Sequence, residues 1–416
     1  MEDKILGQEQ ASILNGIRII DAGVFIAGTG AGALLGNLGA EVIKIEDPAR
    51  GDSYRGVTAQ YGDAMSVKGR HIGFETTNLN KKSVTLDLQT EEGKEILYQL
   101  VAKSDVFHTN FPKRTVEKLG LTYTTLKAYN PRLIYGRTTM YGSRGHLSDR
   151  RGYDTLAQAY SGAMWAMGDR DFDEPVGMVG GVIDQLTATL MAWGMVCALL
   201  ARERLGVGQE VHSSLLGAAL HLQTQNVNMG LLRGRPWERF QRKRSANPMS
   251  NNYRCSDGKW IVLAELMSDR FWAEFCDTIG QPQLKDDPRF SVHLGGRSKH
   301  NVELIQILNE VFATKNRDEW IRIFDEKNAG FGYAPINDLA EAIKNPQAIE
   351  NEYITNFNHP VLGDVRIAGF PIWFSETPAW IRKEAPEHGQ HTEEVMMEVL
   401  GYDWDEISKL KDNRII

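Results

Sequence analysis

Residues 17–46 open on Ile17-Arg18-Ile19-Ile20-Asp21-Ala22-Gly23, pass through Gly28-Thr29-Gly30-Ala31-Gly32-Ala33, and close on Glu41-Val42-Ile43-Lys44-Ile45-Glu46. The first run reads as a buried strand and the last as a second strand. Between them Gly28 to Gly39 reads as a helix of small residues, so the stretch is a βαβ unit. Its glycines fit G-x-G-x-x-G/A, and Glu46 stands at about the distance of a ribose-binding acid, which keeps a dinucleotide site open. Small residues at Gly32 and Gly36 would equally let the helix pack tightly on the sheet, and a lone fingerprint is weak.

Working outward, the alternation continues. Asn80-Lys81-Lys82-Ser83 leads into a strand from Val84 to Leu88, and a helix from Thr90 to Ser104 follows, with Thr90 as N-cap. A strand from Asp105 to Thr109 runs into Asn110-Phe111-Pro112; two short helices and a strand from Leu133 to Thr138 come next. This spacing predicts an α/β fold with a mostly parallel, doubly wound sheet. A polar loop with Arg144, His146, Arg150 and Arg151 precedes an amphipathic helix from Tyr153 through Met167. After Arg204 the order is turn, strand Glu210–Ser213 and helix to about Gly230. Arg233, Arg235, Arg239, Arg242, Lys243 and Arg244 then form a basic linker, read as solvated. Residues 252–330 read as a smaller α+β unit; a strand pair near 360–374 and a helix from Thr392 to Leu400 close the series.

Composition narrows the classes. The chain has 416 residues, 42% hydrophobic and 24% charged, with a net charge of -7. That balance suits a soluble globular protein and argues against a nucleic-acid footprint. Its 3 cysteines, Cys197, Cys255 and Cys276, are far apart and match no metal spacing, which points to a reducing, cytoplasmic setting. Residues 1–12 are polar and show no secretory signal. The apolar run 182–200 is long enough to raise the question of a membrane span, but Asp184, Gln185 and Thr187 favour a buried core helix.

Asp184 itself follows Gly180-Gly181 and opens that helix. Helix dipole and free N–H groups there favour an ionised carboxylate, and the glycines admit a ligand close to the backbone. Two readings stand: a helix cap, or a carboxylate nucleophile.

Separated signatures then carry a resemblance spanning nearly the whole chain. They are Gly39-Ala40-Glu41-Val42-Ile43-Lys44-Ile45-Glu46, Asn80-Lys81-Lys82-Ser83-Val84-Thr85-Leu86-Asp87-Leu88, Asp105-Val106 through Asn110-Phe111, Tyr153-Asp154 to Gln158 with Ser161-Gly162, and Gly389-Gln390-His391-Thr392-Glu393-Glu394-Val395. In this order they resemble the class III CoA-transferases, the CaiB/BaiF family of formyl-CoA transferase and the carnitine CoA-transferase. The resemblance implies that CoA moves from an acyl-CoA donor, such as succinyl-CoA, to a free acid through aspartyl anhydride and aspartyl-CoA thioester intermediates. It implies Asp184 as nucleophile and Asp154 as a supporting acid, with helix capping an equal reading for Asp154. It places Ala27, Leu86, Asp87, Leu88, Asn110, Phe111, Lys118 and Arg151 along CoA. No permanently bound cofactor and no metal are implied; the CoA thioester is substrate. Oxyanion donors are expected among the N–H groups at the glycine-flanked helix start. The expected assembly is an interlocked ring-like homodimer, or a heteromer with a homologous chain, with no nucleic-acid or membrane partner. The expected domains are a discontinuous large CoA-binding domain, 1–225 plus 335–416, and a smaller α+β domain, 226–334.

Departures sharpen the expectation. Ser245 to Asn252 stands roughly where formyl-CoA transferase has its glycine run, Ile26 replaces an active-site glutamine, and Asp47 replaces a CoA-contacting arginine. The first two argue for a less polar acyl pocket, hinted at by Phe25, Ile26, Met164, Trp165 and Met167, and the third for a different hold on the adenine end of CoA. The alternatives are an α-methylacyl-CoA racemase and a non-catalytic subunit. The racemase needs a histidine base where this chain has the tyrosine of Gly152-Tyr153-Asp154, a poor base near neutral pH.

Overall fold

The computed structural model describes residues 12–416. The polar stretch read for an absent leader therefore lies almost wholly outside the described residues. Six parallel strands form the main sheet: β1 (Arg18–Ala22), β2 (Glu41–Glu46), β3 (Lys81–Thr85), β4 (Val106–Thr109), β5 (Ile134–Thr139) and β6 (Gln209–Ser214). Their order across the sheet is β3-β2-β1-β4-β5-β6. The chain thus winds outward from β1 in one direction and, after β3, restarts at β4 in the other. The edge between β1 and β4 is the switch point, where ligands of open α/β sheets bind beyond the carboxyl ends of the strands.

Strand alternation gives the sheet two apolar faces. Ile19, Val42, Val106 and Ile134 meet α1 (Gly30–Asn37) and the long α5 described below. Ile20, Ile43, Val84, Phe107 and Tyr135 meet α3 (Glu91–Ala102) and, from far along the chain, Val395, Met396, Ile407 and Leu410. Between α1 and α3, α2 (Ile72–Asn78) ends what reads in sequence as irregular. Thr90 caps α3 as expected, its hydroxyl accepting from the Gly93 N–H at 3.0 Å.

Several boundaries move for physical reasons. β3 starts at Lys81, not Val84, because Lys81 is a buried cation with a carboxylate partner; a lysine pair reads as loop until that partner is seen. The helix expected through Met167 ends early: α4 covers Asp154–Tyr160, and Gly162 at φ 81 breaks the run. α5 covers Val182–Leu205, and it is long and apolar enough to cross a membrane by length and composition. It packs Met191 and Met195 into the sheet core, yet the expectation of a buried helix holds for one face alone: Trp193 is 64% and Leu200 50% exposed. The helix expected to run to Gly230 is two, α6 (Leu215–Leu222) and α7 (Thr224–Arg233). A helix at Trp404–Asp412 had no expectation.

The chain divides into two compact units, 1–164 with 177–236 and 350–416, and 165–176 with 237–349. Cuts at 226 and 334 would sever α7 and the strand Tyr333–Ile336. In the second unit, β7 (Ser250–Arg254), β8 (Trp260–Ala264) and β9 (Tyr333–Ile336) form an antiparallel sheet. Its core includes Tyr253, Trp272, Phe275, Phe312, Trp320 and Phe324. The basic linker is partly structural: Arg239 donates to the carbonyls of Gly168, Phe172 and Glu174, which binds 165–176 into this unit. Ser245 to Asn252 runs into β7 here, and Asn247 donates to the Glu265 carbonyl at 2.7 Å.

Candidate active site

The turn from β1 to α1 is held from several sides. Asn110, just past β4, accepts from the Val24 N–H at 3.0 Å and donates to the Val24 carbonyl at 3.1 Å. A Cβ on Gly28 would stand 2.1 Å from the Asn110 side chain, so glycine is required there by this contact. Phe25 sits at φ 61, its N–H donating to Asp52 at 3.2 Å. Gly32 lies against Asp21 and Lys81, and Glu46 is buried against Arg55, Ser83 and the Asp52 N–H. The glycine fingerprint and its acid are thus both engaged in packing, and the dinucleotide reading is set aside.

A cleft of ≈ 740 Å³ opens at the switch point. Val24 to Ala27 line it from the β1 side, Asn110 to Pro112 from β4, and Arg137 to Met140 from β5. Arg150 to Thr155, Gly181 and Asp184 complete much of the wall. Phe25 forms an aromatic contact with Tyr54, centroids 5.3 Å apart, and an edge contact with Tyr153 at 5.9 Å. No histidine is among the lining residues.

Asp184 stands in the first turn of α5, after Gly181 in the left-handed region at φ 70. That φ is one that side chains rarely adopt, and a Cβ on Gly181 would also come within 2.8 Å of the tip of Ile26 on the β1–α1 turn. The capping work falls to Asp154, from α4. Its Oδ2 accepts the Ile183 N–H at 2.6 Å and the Asp184 N–H at 3.0 Å. Asp154 therefore does cap a helix, but α5 rather than its own. Gln158, one turn along α4 on the same face, donates to Asp154 and to the Met178 carbonyl at 2.8 Å, and accepts the Met178 N–H at 2.9 Å.

This arrangement reverses one expectation. The Ile183 and Asp184 N–H groups go to Asp154, and nothing at the α5 start holds the Asp184 pKa down. Burial, then the charge of Asp154, pushes the Asp184 carboxyl up from 3.8 to about 7. Burial and then Asp184 raise the Tyr54 phenol to about 12, which keeps it protonated beside the carboxylate. Donors remain on both sides: the N–H groups of Gly181 and Val182 at the helix start, and of Ile26, Ala27 and Gly28 in the β1–α1 turn, have no acceptor among the described residues.

Of the residues expected along CoA, Ala27, Asn110, Phe111 and Arg151 line the cleft with Asp184 and Asp154. Leu86, Asp87, Leu88 and Lys118 do not. Leu86 is 1% exposed in the sheet core and Leu88 packs beside it. Asp87 donates its N–H to the Ile415 carbonyl, and Lys118 is exposed at the end of its helix. Among the apolar residues, Phe25 and Ile26 line the cleft, whereas Met164, Trp165 and Met167 do not; Trp165 instead lies under Arg239 at 4.6 Å. Sequence reasoning missed Tyr54, Gln158 and Arg137. Gln158 alone had a signal, its i, i+4 spacing from Asp154. Among the described residues no group of three or more His, Cys, Asp or Glu side chains is placed to hold a metal.

Residues 14–392 match the model of CoA-transferase family III. The chain is 31% identical to the succinyl-CoA–D-citramalate CoA-transferase of Chloroflexus aurantiacus, over 97% of this chain and 98% of that protein. It is 32% identical to the mouse (Mus musculus) succinyl-CoA:glutarate CoA-transferase, over 97% of this chain and 90% of that protein. The crystal structure of a CaiB/BaiF family protein from Brucella suis superposes with a TM-score of 0.81 at 28% identity, covering 93% of this chain and 99% of that one.

Proposed function

This chain belongs to CoA-transferase family III and is a class III CoA-transferase; on that premise we propose that Asp184 carries CoA between two acids as an aspartyl thioester. The observation behind this is a carboxylate with no cation beside it among the described residues, pushed up to about 7, at the wall of a cleft large enough for a thioester. A carboxylate in that state is a nucleophile near neutral pH, and burial strips it of the water that would blunt attack.

The sequence of steps balances without an outside reagent. Asp184 attacks the donor thioester; the C–S bond breaks and CoA leaves as thiolate, giving a mixed anhydride. The thiolate attacks the aspartyl carbonyl and expels the donor acid, leaving aspartyl-CoA thioester. An incoming carboxylate displaces the thiolate and forms a second anhydride. The thiolate then takes the acceptor's acyl group, and Asp184 is regenerated. Each tetrahedral intermediate needs donors, and the unengaged N–H groups of Ile26, Ala27 and Gly181, all on the cleft wall, are the candidates. Asp154 acts as a positioning residue: it fixes the first turn of α5 and, by its charge, keeps Asp184 basic.

Succinyl-CoA is the proposed donor, supported by the two relatives named above. The apolar stripe of Trp193, Cys197 and Leu200 on α5, all exposed and spaced on one face, supports an oligomer, proposed as the interlocked homodimer, with a heteromer as its rival. All 3 cysteines are free, which suits the cytoplasm proposed for it. A racemase reading gains nothing from a cleft wall without histidine.

Mass spectrometry after incubation with a panel of acyl-CoA donors, hydroxylamine trapping and peptide mapping tests the proposal. A donor-dependent hydroxamate or CoA adduct on Asp184 is expected. Exchange of α-protons of a branched acyl-CoA with deuterated solvent, without any adduct, would overturn it.

A further inference from the structure

We propose that Arg137 binds an anionic group of the substrate pair, either a phosphate of CoA or the second carboxylate of a dicarboxylic acyl group. This rests on the transferase reading and deepens it. Arg137 lies in β5, where alternation puts Tyr135, Arg137 and Thr139 on one face. Tyr135 is buried in the core below, its hydroxyl donating to the Leu121 carbonyl at 2.8 Å. One step nearer the carboxyl edge, Arg137 reaches the cleft wall with Phe111, Pro112 and Thr115.

Its partners are missing. Nε of Arg137 is buried and has no hydrogen-bond acceptor among the described residues, and no described carboxylate lies within ion-pair distance of its guanidinium. Its strand neighbours are occupied: Thr109 donates to the Ala22 carbonyl at 3.0 Å, and His212 faces Glu210 at 3.4 Å. Elsewhere in this unit, buried cations meet carboxylates directly. Lys44 is 2.9 Å from Asp52, Lys81 2.7 Å from Asp21, and Arg202 2.9 Å from Asp105. A guanidinium half-withdrawn from water and left open to a cleft is suited to a ligand's oxygens, and its planar fork matches carboxylate or phosphate in two parallel bonds. Nothing in its sequence context, Tyr135-Gly136-Arg137-Thr138, separates it from an exposed strand residue.

The test compares wild type with Arg137→Gln and Arg137→Lys. CoA and 3′-dephospho-CoA are titrated calorimetrically, and the rate of Asp184 trapping is followed with succinyl-CoA and with butyryl-CoA. If Arg137 holds the 3′-phosphate, wild type prefers CoA over dephospho-CoA about tenfold and R137Q erases the preference. If it holds the diphosphate, R137Q weakens both by about tenfold. If it holds a carboxylate, CoA binds as in wild type while trapping by succinyl-CoA slows about tenfold relative to butyryl-CoA. R137K, with charge but no fork, falls between wild type and R137Q in whichever quantity moves, and it serves alone should R137Q not fold. A folded variant matching wild type in all of these measurements would overturn the assignment, while Asp184 trapping in wild type would leave the transferase reading intact. A wild-type protein that binds neither CoA nor a thioester would remove both.

Discussion

Two carboxylates, the fully buried Asp21 and the partly buried Asp184, flank the same β1–α1 turn and live in opposite surroundings. Asp21 sits beneath it at the end of β1, fully buried, with Lys81 at 2.7 Å and Thr29 donating at 2.7 Å. Burial alone would raise its pKa, but the charges of Lys81 and Lys44 together hold it below 3.8. The same burial lowers Lys81 to about 8 and His108 to about 4, so the imidazole is neutral. Lys44 also donates to the Gly23 carbonyl at 2.8 Å and Lys81 to the Thr29 carbonyl at 2.7 Å, so the cluster grips the turn from below. Asp184 has a second carboxylate where Asp21 has cations. A compensated charge builds structure, and an uncompensated one retains the basicity that chemistry uses.

The contrast predicts opposite signs. Asp184→Asn should abolish transfer, by about four orders of magnitude in kcat with no hydroxamate. It should also stabilise the fold by roughly 1–3 kcal/mol at pH 8. A carboxyl whose folded pKa is about 7 against 3.8 unfolded costs nothing below 3.8 and progressively more as pH rises to about 7. The gain of the variant should therefore vanish toward pH 4, which urea unfolding at both pH values would read. A D184N protein less stable than wild type at pH 8 would break the comparison.

Asp21→Asn should destabilise by about 3–5 kcal/mol, because Lys81 is left buried without its partner. The double variant with Lys81→Met should recover much of that loss. A smaller effect belongs to Asp154→Asn. Its amide oxygen can still accept from the α5 start, but the charge is gone, so kcat should fall about tenfold. The wild-type kcat/KM should rise through about pH 7, and this limb should move to lower pH in D154N, since Asp154 is one cause of the raised value. Smallest is Gln158→Leu, at about 1 kcal/mol of stability. Hydrogen exchange at Met178 should quicken with it, because Gln158 holds both backbone groups of that residue.

What was legible in sequence followed from period and local chemistry. β1, α1 and β2 announce themselves by apolar runs around small residues, and Thr90 by its place before two glutamates. Asp184 was placed by its glycines and by the family signatures. What escaped depends on partners distant in sequence. Lys81 looks like a turn residue until Asp21 is found 2.7 Å away. Asp154 carries no mark that it caps a helix beginning at Val182. Leu86 and Leu88 were expected along CoA by alignment with relatives, yet their side chains face the sheet core. The second unit's extent is set by Arg239 reaching back to the carbonyls of 168–174, which no linker composition reveals.

The residues that cover one face of the main sheet come from both ends of the described chain. Val84 and Phe107 are roofed in part by Val395, Met396, Ile407 and Leu410, while 237–349 forms a core of its own in between. On a ribosome this imposes an order. The smaller unit has its strands and helices in hand while the larger still waits, with one sheet face bare, for residues near 400 to emerge. The nascent large unit is therefore a client for chaperones through most of its synthesis, and truncation near residue 390 would leave it there permanently.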